Sequence, residues 1–262
     1  MLLSDNNLTL KNYAIFTKDL SKRYGKTLAV DRLNLKIPYG TIYGLLGPNG
    51  AGKTTTIRLL NAIIRPSSGS AEVSGYDIQK EKKMVKLNCG FLPETPGLYN
   101  KLTAREFLEF VGELYYLTPK KINHRIKELL TLFDLNRNEN QLIEQYSRGM
   151  KQKIGLCAAL IHDPKILFLD EPTVNLDPET NRTVKDLIIK LARKTKKTIF
   201  ICTHLLATAE ELCDKIGIIN GGTLLIEGKP LDLIKSVEAK NLEEVYLKIL
   251  KTHTDKNVLS WR

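Results

Sequence analysis

The sequence predicts an α/β fold: a mostly parallel sheet, an antiparallel β subdomain near the N-terminus and an inserted α-helical subdomain. Three patterns carry that expectation. Short apolar, β-rich runs recur at Thr41 to Leu46, Cys89 to Leu92, Ile166 to Leu169, Ile199 to Thr203 and Ile216 to Ile219. Runs apolar on both faces, such as Ile166-Leu167-Phe168-Leu169, suit strands buried between two layers of helices. Leu33, Leu35 and Ile37 alternate instead with polar residues, as in a half-exposed antiparallel strand. Between Glu94 and Ile161 the period becomes helical, with Phe107, Phe110, Val111 and Leu114 on one face, then Ile122, Ile126, Leu129, Leu130 and Phe133 on another. Thr118-Pro119 supplies a cap and a first-turn proline for the second of these helices.

At 262 residues and 42% apolar content, the chain can bury one large domain or a core with an inserted lobe. Its longest apolar run, Ile154 to Ile161, falls far short of the ~18 to 20 residues that span a bilayer. The N-terminus, Met1-Leu2-Leu3-Ser4-Asp5, lacks a basic segment followed by an apolar one, so a cytoplasmic location is expected. Cysteines 89, 157, 202 and 213 form neither CxxC pairs nor a dense framework, and are expected to be reduced core residues. The net charge of +11 is spread along the chain. Residues 11 to 36 hold seven Lys/Arg and residues 181 to 203 another seven, the latter read as the solvated face of a helix. Neither cluster interleaves stacking aromatics, so nucleic acid is not an expected partner. A basic surface also suits the anionic inner leaflet of a membrane.

The chemistry is concentrated in short motifs. Gly47-Pro48-Asn49-Gly50-Ala51-Gly52-Lys53-Thr54, followed by Thr55, matches a phosphate loop and lies between a strand at Ile42 to Leu46 and a helix at Thr55 to Ile64. Glycines let backbone N–H groups wrap phosphates, Lys53 reaches the β- and γ-phosphates, and Thr54 can ligate Mg²⁺. The strand Ile166 to Leu169 runs into Asp170-Glu171, at the end of a sheet where ligands gather. Asp170 would hold Mg²⁺, and Glu171 would orient or deprotonate an attacking water. These two elements predict a P-loop NTPase core and leave kinase, GTPase, helicase and transporter motor open.

Tyr146-Ser147-Arg148-Gly149-Met150-Lys151-Gln152 narrows the choice. Ser147 is a strong N-cap, and Gly149 lets a phosphate approach the first helical turn. The stretch resembles the signature of ABC transporter ATP-binding subunits, and the resemblance runs from Phe16 to about Gly228. It implies that Ser147, Arg148, Gly149 and Met150 meet the ATP of a second ATPase subunit. Asn175-Leu176-Asp177 resembles the D-loop at the dimer interface, with Asp177 also a good helix cap. His204 resembles the switch histidine that contacts the γ-phosphate; His124, His162 and His253 are read as ordinary residues. Tyr24 resembles the aromatic that stacks on adenine, or packs on the sheet.

Three positions in two motifs depart from the family pattern: Arg148 stands for a signature glycine and Met150 for a glutamine, while Glu94 replaces the Q-loop glutamine. Glu94 could still bind Mg²⁺ or water, adding negative charge beside Asp170 and Glu171. The Pro93-Glu94 variant and the Ser-Arg-Gly-Met signature resemble the ABC-2 and drug-efflux exporter ATPases. The resemblance implies an ATPase domain over 14–236, with an α/β core at about 14–93 and 158–236 and a helical lobe at about 94–157; the spacing of Leu242, Val245, Tyr246 and Ile249 predicts an amphipathic tail over 237–262. The resemblance also implies ATP and Mg²⁺ as ligands, a head-to-tail dimer with an identical or closely related chain, and transmembrane permease subunits that hold the chain on the cytoplasmic face of the cell membrane. A soluble assembly, such as iron–sulfur cluster biogenesis, is the alternative. A DNA-repair ATPase would carry a coiled coil, and no sustained heptads occur between Glu94 and Cys157.

Overall fold

The computed structural model describes residues 12–174 and 176–254. Strands β1 (Tyr13–Tyr24), β2 (Thr27–Leu33), β3 (Lys36–Pro38), β5 (Ser68–Val73) and β6 (Tyr76–Asp77) form an antiparallel sheet in which β1 pairs with β2, β3 and β5. The second sheet runs β11-β10-β4-β9-β8-β7, from β4 (Ile42–Leu46), β7 (Cys89–Leu92), β8 (Ile166–Asp170), β9 (Thr198–Thr203), β10 (Lys215–Asn220) and β11 (Thr223–Gly228). All its neighbours are parallel except β10 and β11. The α/β class, the parallel core and the antiparallel N-terminal subdomain therefore match the sequence expectation.

Because side chains alternate across a strand, the doubly apolar runs feed two cores at once. Tyr43 and Leu45 of β4, Phe168 of β8 and Phe200 and Cys202 of β9 pack with the antiparallel sheet and with α1 (Lys53–Leu60). Ile42 and Leu46, Leu167 and Leu169, and Ile199 and Ile201 face the opposite core. There they meet α3 (Ala104–Leu114), α4 (Pro119–Leu132), α5 (Arg148–Leu160) and α6 (Pro178–Thr195). Between the sheets' connections lies α2 (Lys82–Asn88). Leu33, Leu35 and Ile37 are buried with exposed residues between them, but the chain leaves the ladder between β2 and β3.

The cap expected at Thr118 is present: it accepts from the Lys121 N–H, with Pro119 at the first helical position. Thr103, not singled out in the sequence, closes a reciprocal capping box with Glu106. Three expectations are corrected. The helix after the glycine loop begins at Lys53 and ends at Leu60, not Ile64, because Ala62 turns left-handed at φ 52°. On α3 the buried face is Ala104, Phe107, Leu108 and Gly112, while Phe110 and Leu114 are exposed. The second basic cluster is not simply solvated: Lys197 is buried and donates to Asp163 Oδ1 at 2.7 Å, and Arg193 pairs with Asp214. At the C-terminal end, α7 (Leu206–Leu212), α8 (Pro230–Ser236) and α9 (Leu242–Thr254) pack together, with Leu242 and Val245 fully buried. Residues 255–262 of the predicted tail, Met1 to Lys11, Asn175, and the side chain of His253 lie outside the described residues. All four cysteines are buried free thiols.

His162 is less ordinary than its sequence context suggested. Its ring stacks on Tyr115 with centroids 3.6 Å apart, and Nε2 donates to the Cys89 carbonyl at 3.0 Å. Burial, above all, pushes its pKa down from 6.5 to about 4, and Nδ1 is buried without a partner. The fold holds the imidazole neutral, so the unfolded chain gains the proton first as pH falls. Stability from this group is full above pH 6.5 and is lost progressively toward pH 4. Urea unfolding at several pH values should show wild type losing on the order of 2 to 3 kcal/mol across that window relative to His162→Phe; parallel pH profiles would contradict this.

Candidate nucleotide site

The turn from β4 into α1 is forced open by absent side chains. A Cβ on Gly47 would stand 2.3 Å from the Ile219 carbonyl oxygen, and one on Gly52, at φ 108°, 2.3 Å from that of Ala29. The loop is thus wedged between the end of β10 and strand β2 of the other sheet. Its backbone N–H groups and the start of α1 make an anion cradle. Lys53 is buried, donates to the carbonyls of Gly47 at 2.7 Å and Pro48 at 3.1 Å, and lies 3.7 Å from Glu171 Oε1. Below the loop, the Cys202 thiol donates to the Lys53 carbonyl at 3.4 Å.

The neighbouring strand ends complete the cavity. Asp170, the last residue of β8, is buried, and one of its carboxylate oxygens has no partner. Desolvation raises its pKa, the Thr54 hydroxyl opposes this, and the charges of Glu171 and Glu94 add to the rise. Glu171 follows at a left-handed φ of 50° and is tied to the end of β9. Its Oε2 accepts from the Thr203 hydroxyl at 2.8 Å and the His204 N–H at 3.4 Å, and its Oε1 lies 2.8 Å from His204 Nδ1.

One cavity of about 240 Å³ is lined by Ala29, Pro48, Asn49, Gly50, Gly52, Lys53, Thr54, Thr55, Glu94, Asp170, Glu171 and His204. It gathers the residues assigned from the sequence to phosphate, metal and water, apart from Gly47 and Ala51 in the loop wall. It does not include the others. Tyr24, at the β1–β2 hairpin, is 47% exposed with Lys22 Nζ 5.0 Å from its ring centroid, and it does not line the cavity. Ser147 caps α5 through the Met150 N–H, and both it and Arg148 are exposed. A Cβ on Gly149 would meet Thr180 Oγ1 at 2.9 Å, which packs the signature turn against α6. Asp177 caps α6 through the Thr180 N–H at 2.9 Å, as expected. Two contributors were missed in the sequence: Ala29 in the cavity wall and Thr203 behind Glu171. Gln152, at the end of the signature stretch, is buried and donates to the Pro172 carbonyl at 3.1 Å. Thr203 was legible only as the end of a strand.

The oxygen donors suit Mg²⁺. Thr54 and Asp170 line the same cavity, the Thr54 hydroxyl opposes the rise in the Asp170 pKa, and an unpartnered carboxylate oxygen of Asp170 faces no competing protein donor. Mg²⁺ is ordinarily held by one or two carboxylates together with substrate phosphates, so the absence of a three-residue His/Cys/Asp/Glu cluster among the described residues is compatible with it.

A parallel sheet whose central strand opens into a glycine loop, lysine and helix, beside an acidic strand end, defines a P-loop nucleoside triphosphatase. The "ABC transporter" family model matches residues 30–174. The bacitracin transport ATP-binding protein BcrA of Bacillus licheniformis is 43% identical over 87% of this chain and 74% of its own. The daunorubicin resistance ATP-binding protein DrrA3 of Streptomyces coeruleorubidus is 40% identical over 82% and 68%. The structure described as a dimeric, post-hydrolysis state of the ATP-binding cassette MJ0796 bound to ADP and Pi superposes with a TM-score of 0.75, at 25% identity over 82% of this chain and 98% of that one. The chain belongs to the ATP-binding subunits of the ABC transporter family, and it binds and hydrolyses ATP in the service of transport.

The wedged loop makes a steric prediction. Gly52→Ala combines a left-handed φ with a clash against backbone, so ATP affinity measured by fluorescence titration should fall at least about tenfold, while Gly50→Ala, whose Cβ meets nothing within 4 Å, should cost less. Equal affinities for the two variants would count against the wedge.

Proposed function

We propose that this chain is the motor of an exporter. Two copies, or one copy and a close relative, would face each other head to tail, and the phosphate loop of each would share an ATP with the signature of the other. The observation that carries this reading is the half-built site: the cavity holds loop, acidic pair and His204, while exposed Ser147 caps a helix that does not line it. Relatives named for bacitracin transport and daunorubicin resistance, and a related cassette described as a dimer, support it.

In this reading the loop N–H groups and Lys53 hold the phosphates, and Thr54 and Asp170, with Glu94 at the rim, hold Mg²⁺, which when bound neutralises phosphate charge. Glu171 takes up a proton from water or orients it. Thr203 and His204 fix the carboxylate's two oxygens, which limits the reorganisation needed at reaction. Tyr24 stays available to stack on adenine, and Asp177 stands where the two copies meet. Permease subunits would hold the chain on the cytoplasmic face of the membrane; among the described residues no helix is long and apolar enough to cross it.

A second cavity of about 250 Å³, lined by Asn61, Ile63, Lys86, Phe91, Val111, Tyr115, Ala158 and Ala159, suits a short helix of such a permease. The buried Asn61 Oδ1 has no partner there, and Ile63 is half exposed. Ile63→Glu should abolish co-purification with the permease and leave ATP affinity of the isolated chain unchanged; retained co-purification would argue against this docking site. For the chemistry, Glu171→Gln should keep nucleotide affinity and lower turnover by at least about a hundredfold. Near-normal turnover would remove Glu171 from its role.

A further inference from the structure

Glu94 borders two cavities. On one side it lines the nucleotide cavity with Thr54 and Asp170, and its charge is felt by Asp170. On the other it lines a cavity of about 320 Å³ together with Arg148, Lys151 and Gln152. The cations of that second cavity are out of place by local rules. Arg148 and Lys151 lie in the first turn of α5, which carries no acidic residue, so both oppose the helix macrodipole. Among the described residues the side chains of Glu94, Arg148 and Lys151 make no hydrogen bond or ion pair within the protein. An exposed acid and two uncompensated bases therefore share one wall. On its other side the acid shares the nucleotide cavity with Asp170 and Glu171, both buried, where a third negative charge is disfavoured without a cation.

We propose that Arg148 is the counter-cation of Glu94 within the same chain, drawing the carboxylate toward the signature helix and so setting how readily it joins the metal site. Arg148 is then a positioning residue that acts through Glu94. The inference rests on the reading of Glu94 as a metal-site carboxylate. It also accounts for two of the departures from the family pattern together: an acid in place of glutamine and an arginine in place of glycine fall on one cavity and balance each other's charge.

The test is the Mg²⁺ concentration that half-saturates binding of a fluorescent, non-hydrolysable ATP analogue, which needs no turnover. Five proteins are compared: wild type, Arg148→Gly, Arg148→Lys, Glu94→Gln and the Arg148→Gly/Glu94→Gln double variant. An exposed pair of this kind corresponds to an effect of about two- to fivefold. Arg148→Gly should lower the half-saturating Mg²⁺ by that factor, because Glu94 is released to the metal, and Arg148→Lys should restore it. In the Glu94→Gln background, Arg148→Gly should change nothing. The same shift in both backgrounds would mean that Arg148 acts on the nucleotide itself and would overturn the pairing, as would no shift in either. If Glu94→Gln alone left the Mg²⁺ dependence unchanged, the metal-site reading of Glu94 would fail, and that result is distinguishable from failure of the pairing.

Discussion

The site depends on a backbone contact that no side chain could replace. At Gly47 the loop passes against the Ile219 carbonyl at the end of β10, and at Gly52 against the Ala29 carbonyl of β2. The first contact ties the loop to the parallel sheet and the second to the antiparallel one. The cradle therefore forms only when both sheets are in place, and it links phosphate binding to the packing of the two cores. Residues of β4 send alternate side chains into each core, so the strand that leads into the loop is held from both faces.

Charge is organised around the same junction. Lys53 is turned over the loop carbonyls and toward Glu171, and Glu171 is fixed by Thr203 and His204 from the next strand. Asp170 keeps one oxygen unpartnered in a buried setting. An unpartnered carboxylate oxygen is costly, and a divalent cation is the ligand that compensates it. The phosphate end is thus carried by the end of β4, the metal and water ends by the adjacent Asp170 and Glu171 at the end of β8, and the groups that hold Glu171 by the end of β9, in one sheet whose register fixes their spacing.

The sheet and the motifs were legible because their signals are continuous in sequence: doubly apolar strands, a glycine loop with its lysine, an acidic pair and capped helices. What was not legible depends on tertiary neighbours. Nothing local marks Thr203 as the hydroxyl behind Glu171, or Ala29 as part of the wall, since both are placed by neighbouring elements. Phe110 and Leu114 fit a helical period yet lie outside the core, because the partners of α3 cover only its Ala104 to Gly112 face. The left-handed turn at Ala62 carries no glycine to announce it. Tyr24 was assigned by resemblance, and its exposed ring lies beyond the cavity that the single chain forms.

That a single chain carries only part of the site is the central claim, and complementation tests it directly. Lys53→Ala chains are mixed with chains bearing Ser147→Glu, each with its own tag, and mixed dimers are purified through both tags. In such a dimer one site carries both lesions, while the other joins an intact phosphate loop to an intact signature. Nucleotide retained per mixed dimer should exceed that of either parent and approach one per dimer. Retention no better than the parents, in dimers shown to have formed, would contradict a site shared between chains.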